Sequence, residues 1–186
     1  MSNSIYLLRH AETKIDRRKS VRNWDLTESG KLSCMELAKS QVFSKIEGIV
    51  HSSENKAKET ADFIAHETGA ETYVLDEFDE LKRNRKGFLT TEEYRALVRK
   101  TLTNWERPVQ DWESGEDALT RFMDGIRRTN IMFHHKNILI VSHGLVLTLY
   151  FSALTHFQKI AYERWAQLNF LSWGLVRDGR VLIDIV

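Results

Sequence analysis

Residues 137–144 read "NILIVSHG". Ile138 to Val141 form an unbroken apolar run between turn-forming residues, the pattern of a strand buried on both faces of a sheet. The chain passes straight on into "LVLTLYFSAL" (145–154), an apolar helix. A buried strand feeding a helix is half of a βαβ unit, and the rest of the chain supplies its partners. "SIYLLR" (4–9), "EGIVHSS" (47–53) and "ETYVLD" (71–76) read as short strands. "LTESGKLSCMELAKSQVF" (26–43) reads as a helix capped by Thr27, with Leu32, Met35, Leu37 and Ala38 as its apolar face. "ENKAKETADFIAHETG" (54–69) reads as a helix stopped at Gly69, and "TTEEYRALVRKTLTNWE" (90–106) as one opened by a capping pattern. "SGEDALTRFMDGIRRTNIMFHH" (114–135) is another, with Phe122, Ile126 and Ile131 among its apolar positions. Two closing strands, around 167–177 and 180–186, meet at Asp178-Gly179, a hairpin signal. The alternation predicts a three-layer αβα sandwich with a mostly parallel central sheet and an antiparallel C-terminal hairpin edge, in one domain over 1–186.

Composition narrows the class. With 186 residues, 42% hydrophobic and 28% charged, the chain suits one globular domain with a real core. A formal charge of +1 argues against a nucleic-acid binder. Cys34 is the only cysteine, which excludes an intrachain disulfide or a multi-cysteine metal site. No basic n-region precedes the short apolar run at the N-terminus, and no stretch has membrane-span length. These features point to a soluble cytoplasmic enzyme or binding protein, with no nucleic-acid or membrane partner.

In open α/β sheets ligands sit at the carboxyl ends of the strands. Here those ends carry Arg9-His10, His51-Ser52-Ser53 and Ser142-His143-Gly144. Each leads towards a helix N-terminus, where main-chain N–H groups favour an anion. Two histidines, an arginine and helix N-termini at one mouth point to phosphate chemistry. His66, His134, His135 and His156 read as structural or surface residues. Metal hydrolysis is the weaker reading, because there is no His-Glu-x-x-His pattern and Arg9 beside His10 repels a cation.

Taken together, the motifs resemble the histidine phosphatase superfamily, the phosphoglycerate-mutase-like fold. "LLRHAET" is similar to its Arg-His-Gly signature, with Ala11 in place of glycine. "WDLTESG" (24–30) resembles its Leu-Thr-x-x-Gly segment and "SSENKAKETA" (52–61) its Ser-x-x-x-Arg-Ala-x-x-Thr-Ala element. "SGED" (114–117) and "IVSHG" resemble the start of a later helix and the second histidine motif. The resemblance implies that His10 is a nucleophile forming a phosphohistidine, and that Arg9 binds phosphate and helps keep His10 unprotonated. It implies that His143 stabilises the transferring phosphoryl group and that Glu80, in "FDEL", is the general acid. Thr13, Gly144 and Lys56 complete the implied substrate contacts. Lys56 stands where the family has an arginine, and lysine lacks the planar fork. Asp16 lies near a family asparagine that contacts phosphate, so its carboxylate is expected to point away. No metal or other cofactor is implied.

Two basic segments, Lys14, Arg17, Arg18, Lys19 and Arg22, then Lys82, Arg83, Arg85 and Lys86, read either as a positive rim for a polyanionic substrate or as solvated loops. Phe88, Trp105 and Trp112 line a pocket or pack the core, with packing the default for aromatics. The segment 77–113 is short beside the insertions of glycolytic mutases, which favours a phosphomonoester phosphatase acting on a small anionic metabolite. A phosphoglycerate-type mutase and a non-catalytic phospho-ligand binding protein are the alternatives.

Overall fold

A computed structural model describes residues 3–83 and 88–185. Arg85 and Lys86 of the second basic segment, and Val186 of the expected last strand, lie outside the described residues. Six strands form one sheet: β1 (Ser4–Arg9), β2 (Gly48–His51), β3 (Thr72–Val74), β4 (Asn137–Ser142), β5 (Trp173–Arg177) and β6 (Arg180–Ile183). Their order is β3-β2-β4-β1-β5-β6. The first four run parallel, and β5 and β6 close the sheet as an antiparallel edge. Asp178 and Gly179 both take positive φ, 52° and 70°, as the tight hairpin turn requires.

The helices are α1 (Glu28–Ala38), α2 (Asn55–Thr68), α3 (Thr91–Thr103), α4 (Gly115–Met132), α5 (Gly144–Leu154) and α6 (Ala161–Gln167). Side chains that alternate along each strand feed two separate cores. Leu8, Ile49, Leu139 and Val141 pack with Ala57, Ala61 and Ile64 of α2. Leu7, Val50, Ile138 and Ile140 pack with residues of α3, α4 and α5 on the other face. Helices therefore cover both faces, as a mostly parallel sheet demands. Helix α5 is buried along nearly its whole length, which explains its lack of a polar face. Among the described residues no helix is long and apolar enough to cross a membrane.

The caps expected at Thr27, at Thr90 with Glu93 and at Gly69 are all present; Gly69 ends α2 with φ 70°. Three expectations need correction. Helix α1 stops at Ala38 and buries Gly30, Cys34 and Ala38, while Leu32 is 59% and Met35 38% exposed. The cause is close packing: a Cβ on Gly30 would stand 2.6 Å from the carbonyl oxygen of Glu12, so the buried stripe is one of small residues. On α4, Phe122 is buried but Ile131 is 74% exposed. The strand expected from about 167 begins only at Trp173: residues 161–167 form α6, and a loop at 168–172 precedes β5.

Candidate active site

Register builds the site. Arg9 of β1 pairs with Ser142 of β4, so the next residues on each strand, His10 and His143, leave the sheet side by side. Adjacent strands lie about 4.8 Å apart, and the two imidazole centroids are 5.1 Å apart. β2 lies on the far side of β4 with His51 opposite Val141, which carries Ser52 to the same edge.

Hydrogen bonds fix the tautomers. Nδ1 of His10 lies 2.7 Å from the carbonyl oxygen of Ala11. A carbonyl cannot donate, so Nδ1 carries the proton and Nε2 holds the lone pair. Ala11 is held by its own N–H, which donates to Thr60 Oγ1 at 3.1 Å. Thr60 is thus a positioning residue for the nucleophile candidate; its signal in the sequence is the Thr of the Ser-x-x-x-Arg-Ala-x-x-Thr-Ala element. Nε2 of His143 lies 2.7 Å from Ser52 Oγ. Ser52 donates its one hydrogen to Asp79 Oδ1 at 2.8 Å, so His143 must donate from Nε2. Its Nδ1 is buried without a partner.

Both imidazoles are held neutral. Burial pushes His10 well below the ordinary histidine range, and His143, Lys56 and Arg9 push the same way against the Ala11 carbonyl. Burial also dominates for His143, aided by Lys56, Arg83, Arg9 and Arg121. Cys34, the other side chain with nucleophilic potential, is buried under α1 with its thiol pushed up to about 11 by burial.

The expected companions gather around this pair. Arg9 donates to the carbonyl of Leu168, and its guanidinium lies 4.3 Å over the Phe170 ring with Nε buried and unpartnered. It also packs against Gly144, whose position for a Cβ is 3.4 Å from the guanidinium carbon. Lys56 is buried, and its ammonium bonds the Glu54 carboxylate and the Val21 carbonyl, the latter at 3.0 Å. One of its three protons is left for a ligand. Glu54 is the partner that sequence reasoning missed. Burial alone would raise its pKa, but Lys56, the Glu80 N–H and Arg83 bring it below the ordinary range. Its Oε1 is 3.9 Å from His143 Nε2.

Glu80 stands at the N-terminus of α5. Its carboxylate accepts N–H groups of Leu81 at 2.9 Å, Leu145 at 3.2 Å and Val146 at 3.3 Å. Its segment is pinned by Arg121, which donates to the carbonyls of Glu77 and Asp79, and by Ser142 Oγ on the Phe78 carbonyl. Asp79, an acidic neighbour of Glu80, serves instead to hold the serines: it accepts from Ser52, from the N–H and hydroxyl of Ser53, and pairs with Arg22 at 2.9 Å. Thr13 pairs its main chain with Leu26, and its side chain makes no hydrogen bond to the described residues. Asp16 turns onto Arg18, away from the histidines, as its charge requires.

The first basic segment is less free than its charge suggests. Arg18 pairs with Asp16, Lys19 with Asp25 and Arg22 with Asp79. Trp112 is buried, as the packing default has it, whereas Phe88 is 40% exposed and stacks on Trp24 at 6.2 Å.

A neutral nucleophile candidate with an open lone pair, flanked by a guanidinium and a second imidazole, defines a phosphoryl-transfer site built on an α/β sheet. The family model for the histidine phosphatase superfamily (branch 1) matches residues 5–177, and the chain belongs to that superfamily. Among solved structures, Bacillus stearothermophilus YhfR superposes with a TM-score of 0.79 at 22% identity, covering 98% of this chain and 95% of that one. A mycobacterial glucosyl-3-phosphoglycerate phosphatase complexed with inorganic phosphate gives 0.77 at 18% identity, covering 97% and 95%. Phosphoglycerate mutase from Bacillus anthracis gives 0.71 at 17%, covering 100% and 93%. These likenesses are likenesses of fold. No curated protein matches the chain significantly.

Proposed function

We propose that the chain, acting as one domain in the cytoplasm, hydrolyses small phosphomonoesters through a phosphohistidine on Nε2 of His10. The observation that carries this reading is the locked tautomer: Nδ1–H is committed to Ala11, and burial keeps the ring neutral. A neutral imidazole whose lone pair faces outward is the form that attacks phosphorus.

In this reading the phosphoryl oxygens meet Arg9, the remaining proton of Lys56 and His143. Nε2 attacks phosphorus and the ester P–O bond breaks. The leaving alcohol takes a proton from Glu80, the carboxyl group at the edge of the site beside Gly144. Water then attacks the phosphohistidine, Glu80 recovers the proton, the P–N bond breaks and His10 returns neutral. Arg9, Lys56 and His143 supply the positive charge that offsets the charge on the phosphoryl group, so activity is expected to persist in a chelator.

The test is alkali-quenched labelling with a radiolabelled phosphoester. The expected phosphoenzyme is alkali-stable, acid-labile and absent in His10→Ala. Labelling that survives in His10→Ala would sink the assignment. The mutase reading differs in outcome: with 3-phosphoglycerate and bisphosphoglycerate it gives isomerisation without phosphate release. One observation favours the non-catalytic alternative, the engagement of Lys56 by Glu54, and a broad phosphoester panel without label or turnover would support it.

A further inference from the structure

Arg83, like Arg9, stands apart from the other arginines near the site. Arg121 pairs with Glu113 at 2.8 Å, Arg22 with Asp79 at 2.9 Å and Arg164 with Asp184 at 2.6 Å. Arg83 is only half-buried at residue level, yet among the described residues no carboxylate lies within 4.0 Å of its guanidinium. The guanidinium packs over a pair of rings, 5.3 Å from the centroids of both Tyr94 and Trp112, which lie 5.8 Å from each other. Its main chain bridges to Trp112, and Lys82 next to it exchanges hydrogen bonds with Glu113. This is a cation fixed in place by aromatic and main-chain contacts, with its fork of N–H donors lacking an anion.

Its position relates it to the site. Arg83 follows Glu80 by three residues, and Glu80 and Glu54 are the carboxylates whose charges it feels. After Lys56 it is the strongest cationic influence on His143, ahead of Arg9. Tyr94 also packs at 6.0 Å against Trp165, whose Nε1 lies 3.5 Å from the place of a Cβ on Gly144. Arg9, Gly144, Trp165, Tyr94 and Arg83 thus form one continuous wall. Arg9 lies at one end beside His10 and Arg83 at the other, and both feel the charge of Glu80, the carboxylate assigned to protonate the leaving group.

We infer that Arg83, packed on Tyr94 and Trp112, is a specificity residue that binds an anionic group on the alcohol portion of the substrate. The inference rests on the phosphatase reading above and names its substrate class: phosphomonoesters whose leaving alcohol bears a carboxylate or a second phosphate. A planar fork suits either anion bidentately, whereas lysine does not.

The test compares glycerol 3-phosphate, 3-phosphoglycerate and propane-1,3-diol bisphosphate, as substrates and in parallel as calorimetric ligands. The first two differ only in the carboxylate, and the third tells a phosphate from a carboxylate as the preferred anion. Expected is a preference for at least one anionic compound in kcat/KM, carried by KM, which Arg83→Gln reduces about 10- to 100-fold. Arg83→Lys, which keeps the charge and loses the fork, retains part of the preference and keeps the test alive should Arg83→Gln fail to fold. A wild-type enzyme that treats the three alike overturns the inference and leaves the phosphatase reading standing. So does a preference that persists in Arg83→Gln. If none of the three turns over, the broad phosphoester panel decides the phosphatase reading and the calorimetric affinities decide the subsite: an anion preference lost in Arg83→Gln upholds it. Equal affinities, or no binding, overturn it.

Discussion

His143 enters the reaction in the wrong protonation state for its proposed task, and that has a measurable result. Its Nε2–H is committed to Ser52, and its unpartnered Nδ1 is a lone pair while the ring is neutral. To donate to a phosphoryl oxygen, Nδ1 must take a proton. The four cations that depress its pKa are offset when a phosphate dianion arrives, so ligand and proton bind together. Calorimetry of inorganic phosphate at neutral pH, in buffers of different ionisation enthalpy, is expected to show net proton uptake that disappears in His143→Gln. Both histidines also bind protons more weakly folded than unfolded. Their neutral state contributes stability fully above the ordinary histidine value of about 6.5, and that stability is lost as pH falls below it. The urea midpoint should therefore drop between about pH 7 and pH 5.5, and drop less in His10→Ala. At this scale His10 and His143 are legible in the sequence because each ends an apolar run. Glu54 and Asp79 are not, because a carboxylate in a charged stretch looks solvated until its partners, Lys56 and Ser52, are folded against it.

Helix α1 shows where periodicity misleads. Apolar spacing selects Leu32 and Met35, but the helix turns its smallest side chains inward because Gly30 touches the main chain of Glu12. Gly30→Ala adds a single methyl against a backbone oxygen that cannot yield. A loss of roughly 1–3 kcal/mol is expected by chemical denaturation. The segment from Ala11 to Thr27 would move with it, because Thr27 N–H and hydroxyl both bind Glu12. Strands are easier to read: β4 and β1 announce themselves by buried runs, and the Asp178-Gly179 turn by its chemistry. Helix α6 lacks such a signal. It is short, and its Arg164 is buried through a pair with Asp184, twenty positions downstream.

Across the whole molecule, the order of strands was legible only as a class. Alternating strands and helices imply a mostly parallel sheet, but the neighbour relation between β1 and β4, which joins the histidines, spans the chain. The same holds for the wall that carries Arg83, assembled from residues 83, 94, 112 and 165. One half of the site rests on a different footing from the other. His143 and the N–H groups that hold Glu80 belong to the first turn of α5, a helix enclosed by both the sheet and its neighbours. The opposing side consists, among the described residues, of loops at 10–27, 81–83 and 168–172. Amides of Leu147 to Leu154 are expected to be among the slowest in the protein to exchange with deuterium, and those of the three loops among the fastest. An amide in α5 that exchanged within the loop timescale would contradict this. The second histidine is thus mounted on the part of the molecule that opens least, and any breathing that admits substrate must come from the loops facing it.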